Sequence, residues 1–318
     1  MFETLRGWLG FLKHHSHDHH HGRGEHNHIH GIVDPTLAST DKGIFAIKWS
    51  FTILAITAAL QMVVVFASGS VALLADGIHN IGDAATAIPL WVAFALARRK
   101  PTSTFTYGYG RVEDLAGILI VLIILFSALV AGYEAIDRFI HPQTIQLLGW
   151  VAVAGFIGFI GNEAVAVFRI QIGREINSAA LIADGYHART DGLTSLAVVI
   201  GAAGVWLGYP VADPIIGFLI TIAIFGIVWQ SSKAVLTRML DGVDPHIIDE
   251  IRHAAEHVAG IEVQEAKARW VGHRLHADIA ATVDAKISVA DAITMTNALK
   301  EALRAHIPGL AEARIRLV

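Results

Sequence analysis

Two stretches of the chain repeat one pattern of residues that can bind a metal ion. Residues 75–83 read A-D-G-I-H-N-I-G-D and residues 183–191 read A-D-G-Y-H-A-R-T-D, so both follow A-D-G-x-H-x-x-x-D. On a helix, the i, i+4 spacing places each histidine beside the aspartate of its own motif. Two such helices that face each other would bring two imidazoles and two carboxylates together. The candidate ligands are His79, Asp83, His187 and Asp191.

Four nitrogen and oxygen ligands without sulfur suit a tetrahedral divalent cation. Zn²⁺ is the first choice, and Co²⁺, Ni²⁺, Cd²⁺ and Fe²⁺ share the same ligands. A single histidine in a membrane helix is more often a hydrogen-bonded packing residue. Two matching pairs in matching apolar segments favour a shared metal site instead, because ionisable side chains are costly in a membrane.

Other charged residues of the two motifs fit more than one role. Asp76 and Asp184 lie about one turn before the histidines, where they can hydrogen-bond to the ligands, cap a helix end or carry protons. Arg189 lies inside the second motif. It either faces the cytoplasmic vestibule or pairs with an acidic group such as Glu163.

The composition indicates a polytopic membrane protein. Of 318 residues, 54% are hydrophobic and 16% are charged, and the mean hydropathy is +0.53. The net charge of −4 gives no case for nucleic-acid binding. The absence of cysteine excludes disulfides, thiolate metal sites and cysteine nucleophiles. No H-E-x-x-H pairing is present, which disfavours an intramembrane metalloprotease, so we expect no enzyme.

Six apolar segments are long enough to cross a bilayer, and they must position the motifs. The predicted helices cover residues 44–67, 71–97, 115–136, 147–168, 179–207 and 211–229. Basic residues collect at 98–100, at Arg169 and Arg174, and at Lys233 and Arg238, whereas the loops on the other side carry almost none. The positive-inside rule therefore predicts that both termini are cytosolic. The expected location is the bacterial inner membrane.

Three domains are expected: a histidine-rich cytosolic arm at 1–43, a transmembrane domain at 44–235 and a cytosolic domain at 240–318. The arm lacks a cleavable signal pattern and is expected to stay uncleaved. Its histidine tract is typical of loose metal chelation. A purification tag is the alternative, but the interruptions by Ser, Asp, Gly, Glu and Asn are unlike an engineered run.

The last segment alternates as a small soluble α+β unit. Helical periodicity covers 246–258 and 289–307, and strand alternation covers 263–270, 275–283 and 313–318. This α-β-β-α-β order resembles a ferredoxin-like unit without its first strand. The predicted fold class is therefore an α-helical membrane protein with six transmembrane helices and a C-terminal cytosolic α+β domain.

With these motifs in place, the chain resembles the cation diffusion facilitator family of zinc exporters over residues 44–318. The resemblance rests on the six spans, the HxxxD pairs of the second and fifth helices, the Y-G-Y-G-R-V-E stretch at 107–113 and the cytosolic tail. It implies a homodimer that exchanges a cytosolic divalent cation for protons by alternating access. It also implies that His79, Asp83, His187 and Asp191 form the transport site. In that family, a histidine at the first of these positions, here His79, is linked to selectivity for zinc and cobalt.

The chain departs from some bacterial members of that family at two further sites. The loop after the second span offers Thr102, Phe105 and Tyr109 where an aspartate–histidine site would be expected, so we predict that this site is absent. The positions of cytosolic interface histidines are occupied by Ile279, Ile293 and Arg314.

Several cytosolic histidines remain open to two interpretations. His273, His276 and Asp278 are either surface polar residues or a regulatory metal site, and on a strand His276 and Asp278 face the same side. His253 and His257 are spaced i, i+4 on a helix, where a solvated face explains them equally well. A membrane metal sensor or storage protein, built on the arm and the soluble tail, is the alternative to a transporter. The twin motif within apolar segments argues against it.

Overall fold

The computed structural model describes residues 35–68, 87–140, 148–209, 212–307 and 309–318. The predicted arm up to residue 34 and the stretch 69–86, which contains the first motif, lie outside the described residues. The described membrane part consists of long helices. They are α1 (Pro35–Ser68), α2 (Ala87–Ala97), α3 (Arg111–Ile140), α4 (Leu148–Glu175), α5 (Ala179–Trp206) and α6 (Ala212–Met239).

Four of the described helices contain a stretch that is long and apolar enough to cross a membrane. These stretches are Ser39–Val64, Arg111–Asp137, Gly149–Glu175 and Ile215–Met239. Helix α5 is 28 residues long and interrupts its apolar sequence with the charged residues of the second motif. Large apolar side chains such as Phe66, Trp206 and Trp229 are exposed, as contact with lipid requires. The helical membrane part of the predicted fold class is confirmed.

Helices α4 and α5 form a tightly packed antiparallel hairpin. The chain reverses at Asn177, which has a φ of 57°, and the Ser178 side chain then accepts a hydrogen bond from the Leu181 backbone N–H at 3.1 Å. A Cβ at Gly185 would lie 3.0 Å from the Ile170 backbone nitrogen, so the helices approach closely at the glycine of the second motif. The hairpin therefore holds the second motif against α4.

The predicted end of the fourth helix at residue 168 was wrong. Helix α4 continues to Glu175, and Arg169 is a buried residue inside it rather than part of a basic loop. The fall in hydropathy at Arg169 indicates a span end only if its charge faces water. Here the charge is paired within the protein, so the helix continues.

The cytosolic domain has the predicted α-β-β-α-β order. Its elements are α7 (Pro245–Glu256), β1 (Ile261–Val271), β2 (Arg274–Val283), α8 (Val289–His306) and β3 (Leu310–Leu317). Strand β2 is central, with β1 antiparallel and β3 parallel to it. The fully buried side chains of Ile251, Leu275, Leu299 and Leu303 fill the space between the helices and the sheet. This half of the predicted fold class is also confirmed.

The membrane helices reach further than predicted on the side of the cytosolic domain. Helix α1 begins at Pro35, α3 begins at Arg111, and α6 continues to Met239. Both α3 and α6 contact β1. The Arg238 guanidinium lies 4.6 Å from the centre of the Trp270 ring, a cation–π contact between the two parts of the chain.

Candidate metal site and its supporting ion pairs

The histidine and aspartate of the second motif share one buried face of α5. His187 is 1% exposed and Asp191 is 8% exposed. The His187 Nδ1 atom lies 3.8 Å from Oδ2 of Asp191, one turn further along the helix. An imidazole and a carboxylate at this separation can bind the same divalent cation after small side-chain rotations. His187 and Asp191, two of the four predicted ligands, therefore lie side by side on α5.

The other half of the predicted set lies outside the described residues. His79 and Asp83 belong to the stretch 69–86, which immediately precedes α2. Helix α2 contacts α1, α3 and α5. Within the described ranges, no group of three or more histidine, aspartate or glutamate side chains is placed to hold a metal ion as it stands. The four-ligand site accordingly stays a prediction.

Asp184, for which the sequence left three roles open, forms a buried ion pair. Its Oδ2 atom lies 2.9 Å from Nη1 of Arg169, and the two side chains are 0% and 1% exposed. The sequence analysis missed this pair. The signal was present: Arg169 and Asp184 lie at similar distances from the turn between two antiparallel helices, so they reach the same depth. Ion pairing fixes α4 against α5 two turns from Asp191.

Of the two interpretations of Arg189, the structure shows the pairing with Glu163. Arg189 donates from Nε to Glu163 Oε2 at 3.2 Å and from Nη2 to Oε1 at 2.7 Å. This two-bond arrangement is the strong, directional geometry of arginine with a carboxylate. Both side chains are largely buried. The carboxylate offsets the positive charge that the motif places two residues from His187 and Asp191.

The cytosolic candidates His273, His276 and Asp278 do not form one site. His273 is 3% exposed, so its interpretation as a surface residue was wrong. Its Nδ1 atom lies 2.6 Å from Oε2 of Glu113, because the turn that carries it is inserted between membrane helices. His276 instead contacts Glu312 of β3 at 3.3 Å, and Asp278 is exposed.

The surroundings of His276 favour its neutral form. Burial lowers the pKa of His276, although Glu312 opposes this effect. A hydrogen bond from Arg314 in turn lowers the pKa of Glu312. Glu312 and Arg314 lie on the same face of the sheet as Asp278.

Comparison with known families finds two matching models that together cover most of the chain. Residues 47–240 match a cation efflux transmembrane domain, and residues 243–316 match the cytoplasmic domain of cation efflux proteins. A probable cation efflux system protein of Mycobacterium tuberculosis is 50% identical over 312 residues, covering 94% of each chain.

More distant relatives carry more specific names. The magnetosome protein MamB of Magnetospira sp. is 27% identical, over 78% of this chain and 85% of its own length. The manganese efflux system protein MneS of Bacillus subtilis is 21% identical, over 78% of this chain and 86% of its own length.

Proposed function

The chain belongs to the cation efflux family, and we propose that it exports Zn²⁺ from the cytoplasm in exchange for protons. Efflux of divalent metal cations by a multi-pass membrane protein follows from the family itself. The proposal adds the metal, the coupled ion and the site. The proposed ligands are His79, Asp83, His187 and Asp191.

The observation that carries the proposal is the buried pair of His187 and Asp191 inside a membrane helix. At 1.5 Å per residue, His187 lies about 12 Å from the start of the 28-residue helix α5. An imidazole and a carboxylate at this depth are costly unless they bind something. The first motif supplies the matching pair, His79 and Asp83, and α2, which follows this motif directly, contacts α5.

The charges around the pair also suit a cation. Arg169 and Arg189 lie on the two helices of the hairpin, and each is held by a carboxylate, Asp184 or Glu163. These ion pairs offset both arginine charges before a metal ion enters. Neither arginine charge then opposes the binding of a cation at Asp191.

The donor set favours zinc among the divalent cations. Two imidazoles and two carboxylates match the tetrahedral preference of Zn²⁺, whereas carboxylate, carbonyl and water oxygens suit Mn²⁺ better. The relative MneS is named for manganese. The histidines at positions 79 and 187 therefore support a different preference in this chain.

Exchange with protons follows from the chemistry of the same ligands. Metal binding requires neutral imidazole and ionised carboxylate, so binding releases protons and protonation releases metal. When the site faces the cytoplasm near neutral pH, metal displaces protons. When it faces an acidic exterior, protonated His79 or His187 releases the metal. The proton gradient thus drives export without an enzymatic step.

The proposal places a homodimer in the bacterial inner membrane with both termini cytosolic. The basic residues at 98–100 and Arg174 lie beside the ends of helices that lead toward the cytosolic domain. The family match at residues 243–316 supplies the cytoplasmic domain through which we expect two copies to associate.

The test is transport by the purified full-length protein in proteoliposomes with an imposed pH gradient. We expect Zn²⁺ to move against protons, faster than Mn²⁺ at equal concentration, and to stop when nigericin collapses the gradient. Protein-free liposomes give the background rate. Zinc flux that is unchanged by nigericin would refute proton exchange, and a faster Mn²⁺ flux would refute the proposed selectivity.

A further inference from the structure

The ends of α7 and α8 bring three histidine rings together on the surface of the cytosolic domain. His253 lies in the last turn of α7, His257 caps that helix, and His306 is the last residue of α8. The ring centres are 4.9 Å apart for His253 and His257, 5.1 Å for His257 and His306, and 6.3 Å for His253 and His306. All three side chains are exposed.

Hydrogen bonds give the three rings the same protonation pattern. Nδ1 of His253 lies 3.2 Å from the Glu256 carboxylate. Nδ1 of His257 lies 3.0 Å from the backbone oxygen of His253, and Nδ1 of His306 lies 2.8 Å from that of Ala302. Because these oxygens accept hydrogen bonds, each neutral ring carries its proton on Nδ1 and keeps the Nε2 lone pair. Metal-binding histidines commonly adopt this pattern.

The ring separations match those of a shared metal ion. With a Zn–N bond of about 2.1 Å, a ring bound through Nε2 has its centre about 3.2 Å from the metal. Three such rings at tetrahedral angles have centres about 5 Å apart. Two of the three observed separations agree with this value, and the third is within about 1.5 Å of it.

The electrostatic surroundings of the cluster favour a cation. Both α7 and α8 end here, so their unpaired carbonyl groups place partial negative charge beside the rings. Glu256 adds a full negative charge in contact with His253. A solvated helix face explains the positions of His253 and His257, but it does not explain why His306 of α8 lies beside them.

We propose that His253, His257 and His306 form a second metal site, which binds Zn²⁺ through three Nε2 atoms and a water molecule. It is separate from the transport site and from positions 279, 293 and 314. As placed, the described side chains do not surround an ion without movement. Exposed side chains change rotamer within nanoseconds, so we expect the three rings to close around the ion by side-chain rotation.

A metal at this site would connect the end of α7 to the end of α8. Helix α7 follows α6 after the short segment 240–244, so the site lies close in sequence to a membrane helix. Binding of cytosolic zinc therefore stabilises the cytosolic domain by mass action. The site is selective against Mg²⁺ and Ca²⁺, which prefer oxygen ligands.

The experiment is hydrogen exchange of the full-length protein with ZnCl₂, MgCl₂ or EDTA at pH 7.5, followed in peptides from the ends of α7 and α8. We expect Zn²⁺, and not Mg²⁺, to slow exchange at residues 254–258 and 303–307 by about tenfold or more. His306→Gln and His253→Gln should each abolish this protection. His246→Gln is the matched control, since His246 is an exposed histidine at the start of α7.

Every variant keeps the transport site and the histidine arm. A difference in zinc protection between variants therefore reports on the three-histidine cluster alone. Zinc protection that is lost in His306→Gln and His253→Gln but retained in His246→Gln supports the site. Zinc protection that persists in His306→Gln, or its absence from the wild-type protein, overturns the proposal. Neither result bears on the transport site, which is measured by flux.

Discussion

His273 Nδ1 lies 2.6 Å from Glu113 Oε2, which joins the turn between β1 and β2 to the first turn of α3. The His273 backbone N–H donates to the same oxygen at 3.2 Å. Ser178 donates its hydroxyl to the other oxygen of Glu113, and Thr40 Oγ1 lies 3.1 Å from His273 Nε2. The buried Glu113 carboxylate therefore links α3 and the start of α5 to the cytosolic domain, and the His273 ring adds a contact to α1.

Removal of this carboxylate should loosen the cytosolic domain from the membrane helices. Glu113→Ala leaves buried donors of His273 and Ser178 without an acceptor, and each such group costs about 1–3 kcal/mol. We expect faster hydrogen exchange at residues 271–274 and a lower thermal midpoint in detergent. Glu312→Gln, which alters an exposed ion pair, is the control and should change little. Equal effects of the two substitutions would contradict the coupling role of Glu113.

The buried pair of Arg169 and Asp184 should be far more sensitive to the loss of one partner than to the loss of both. Asp184→Asn leaves the Arg169 charge unpaired in the interior, which costs about 3–5 kcal/mol. The double variant Arg169→Met, Asp184→Asn removes that charge and should recover much of the loss. Denaturant unfolding of the purified protein measures both. A double variant no more stable than Asp184→Asn would argue against the ion pair.

The close approach of α4 and α5 at Gly185 predicts a specific cost for one added methyl group. A Cβ there would lie 2.7 Å from Ile170 Cγ1 and 3.0 Å from the Ile170 backbone nitrogen. Gly185→Ala should therefore destabilise the protein by about 1–3 kcal/mol and slow transport by displacing His187. Gly226→Ala is the matched control, because a Cβ there meets nothing within 4 Å. Equal melting temperatures for the two variants would contradict this packing.

The lowered pKa of His276 predicts a pH dependence of the cytosolic domain. Burial is the main cause, and Arg269 and Arg314 act in the same direction. Below pH about 6.5, the unfolded chain binds a proton at this histidine that the folded chain does not bind. Stability should therefore fall as the pH falls from about 6.5. In unfolding measured with EDTA present, His276→Gln should reduce the loss of stability with falling pH. An unchanged pH dependence in this variant would contradict a lowered pKa of His276 as its cause.

Periodicity predicted the element order and α5 well, because apolar runs and strand alternation mark those segments directly. Helix ends were less predictable where a charge lies inside the protein. From the sequence alone, Arg169 resembles a residue of a basic loop. Its ion pair with Asp184 depends on the packing of α4 against α5, which the sequence pattern does not show. The pairing of Arg189 with Glu163 was one of two interpretations that the sequence allowed, and only the packing of α4 against α5 decides between them.

The cytosolic histidines show a different limit of sequence reasoning. The role of His273 depends on the docking of a turn against α1 and α3, which no local pattern encodes. His253 and His257 were visible as an i, i+4 pair, but the approach of His306 requires the packing of α7 on α8. Contacts between elements distant in sequence thus decided which histidines are buried and which are grouped.

Zinc flux through isosteric aspartate variants tests the transport site most directly. Asp83→Asn and Asp191→Asn each keep the side-chain size but remove the charge that binds the metal. In proteoliposomes with an imposed pH gradient, we predict that each variant loses about a hundredfold or more of its zinc flux while eluting as a folded protein. Asp249→Asn, an exposed aspartate of α7, should transport normally. Near-normal zinc flux through either Asp83→Asn or Asp191→Asn would contradict the account.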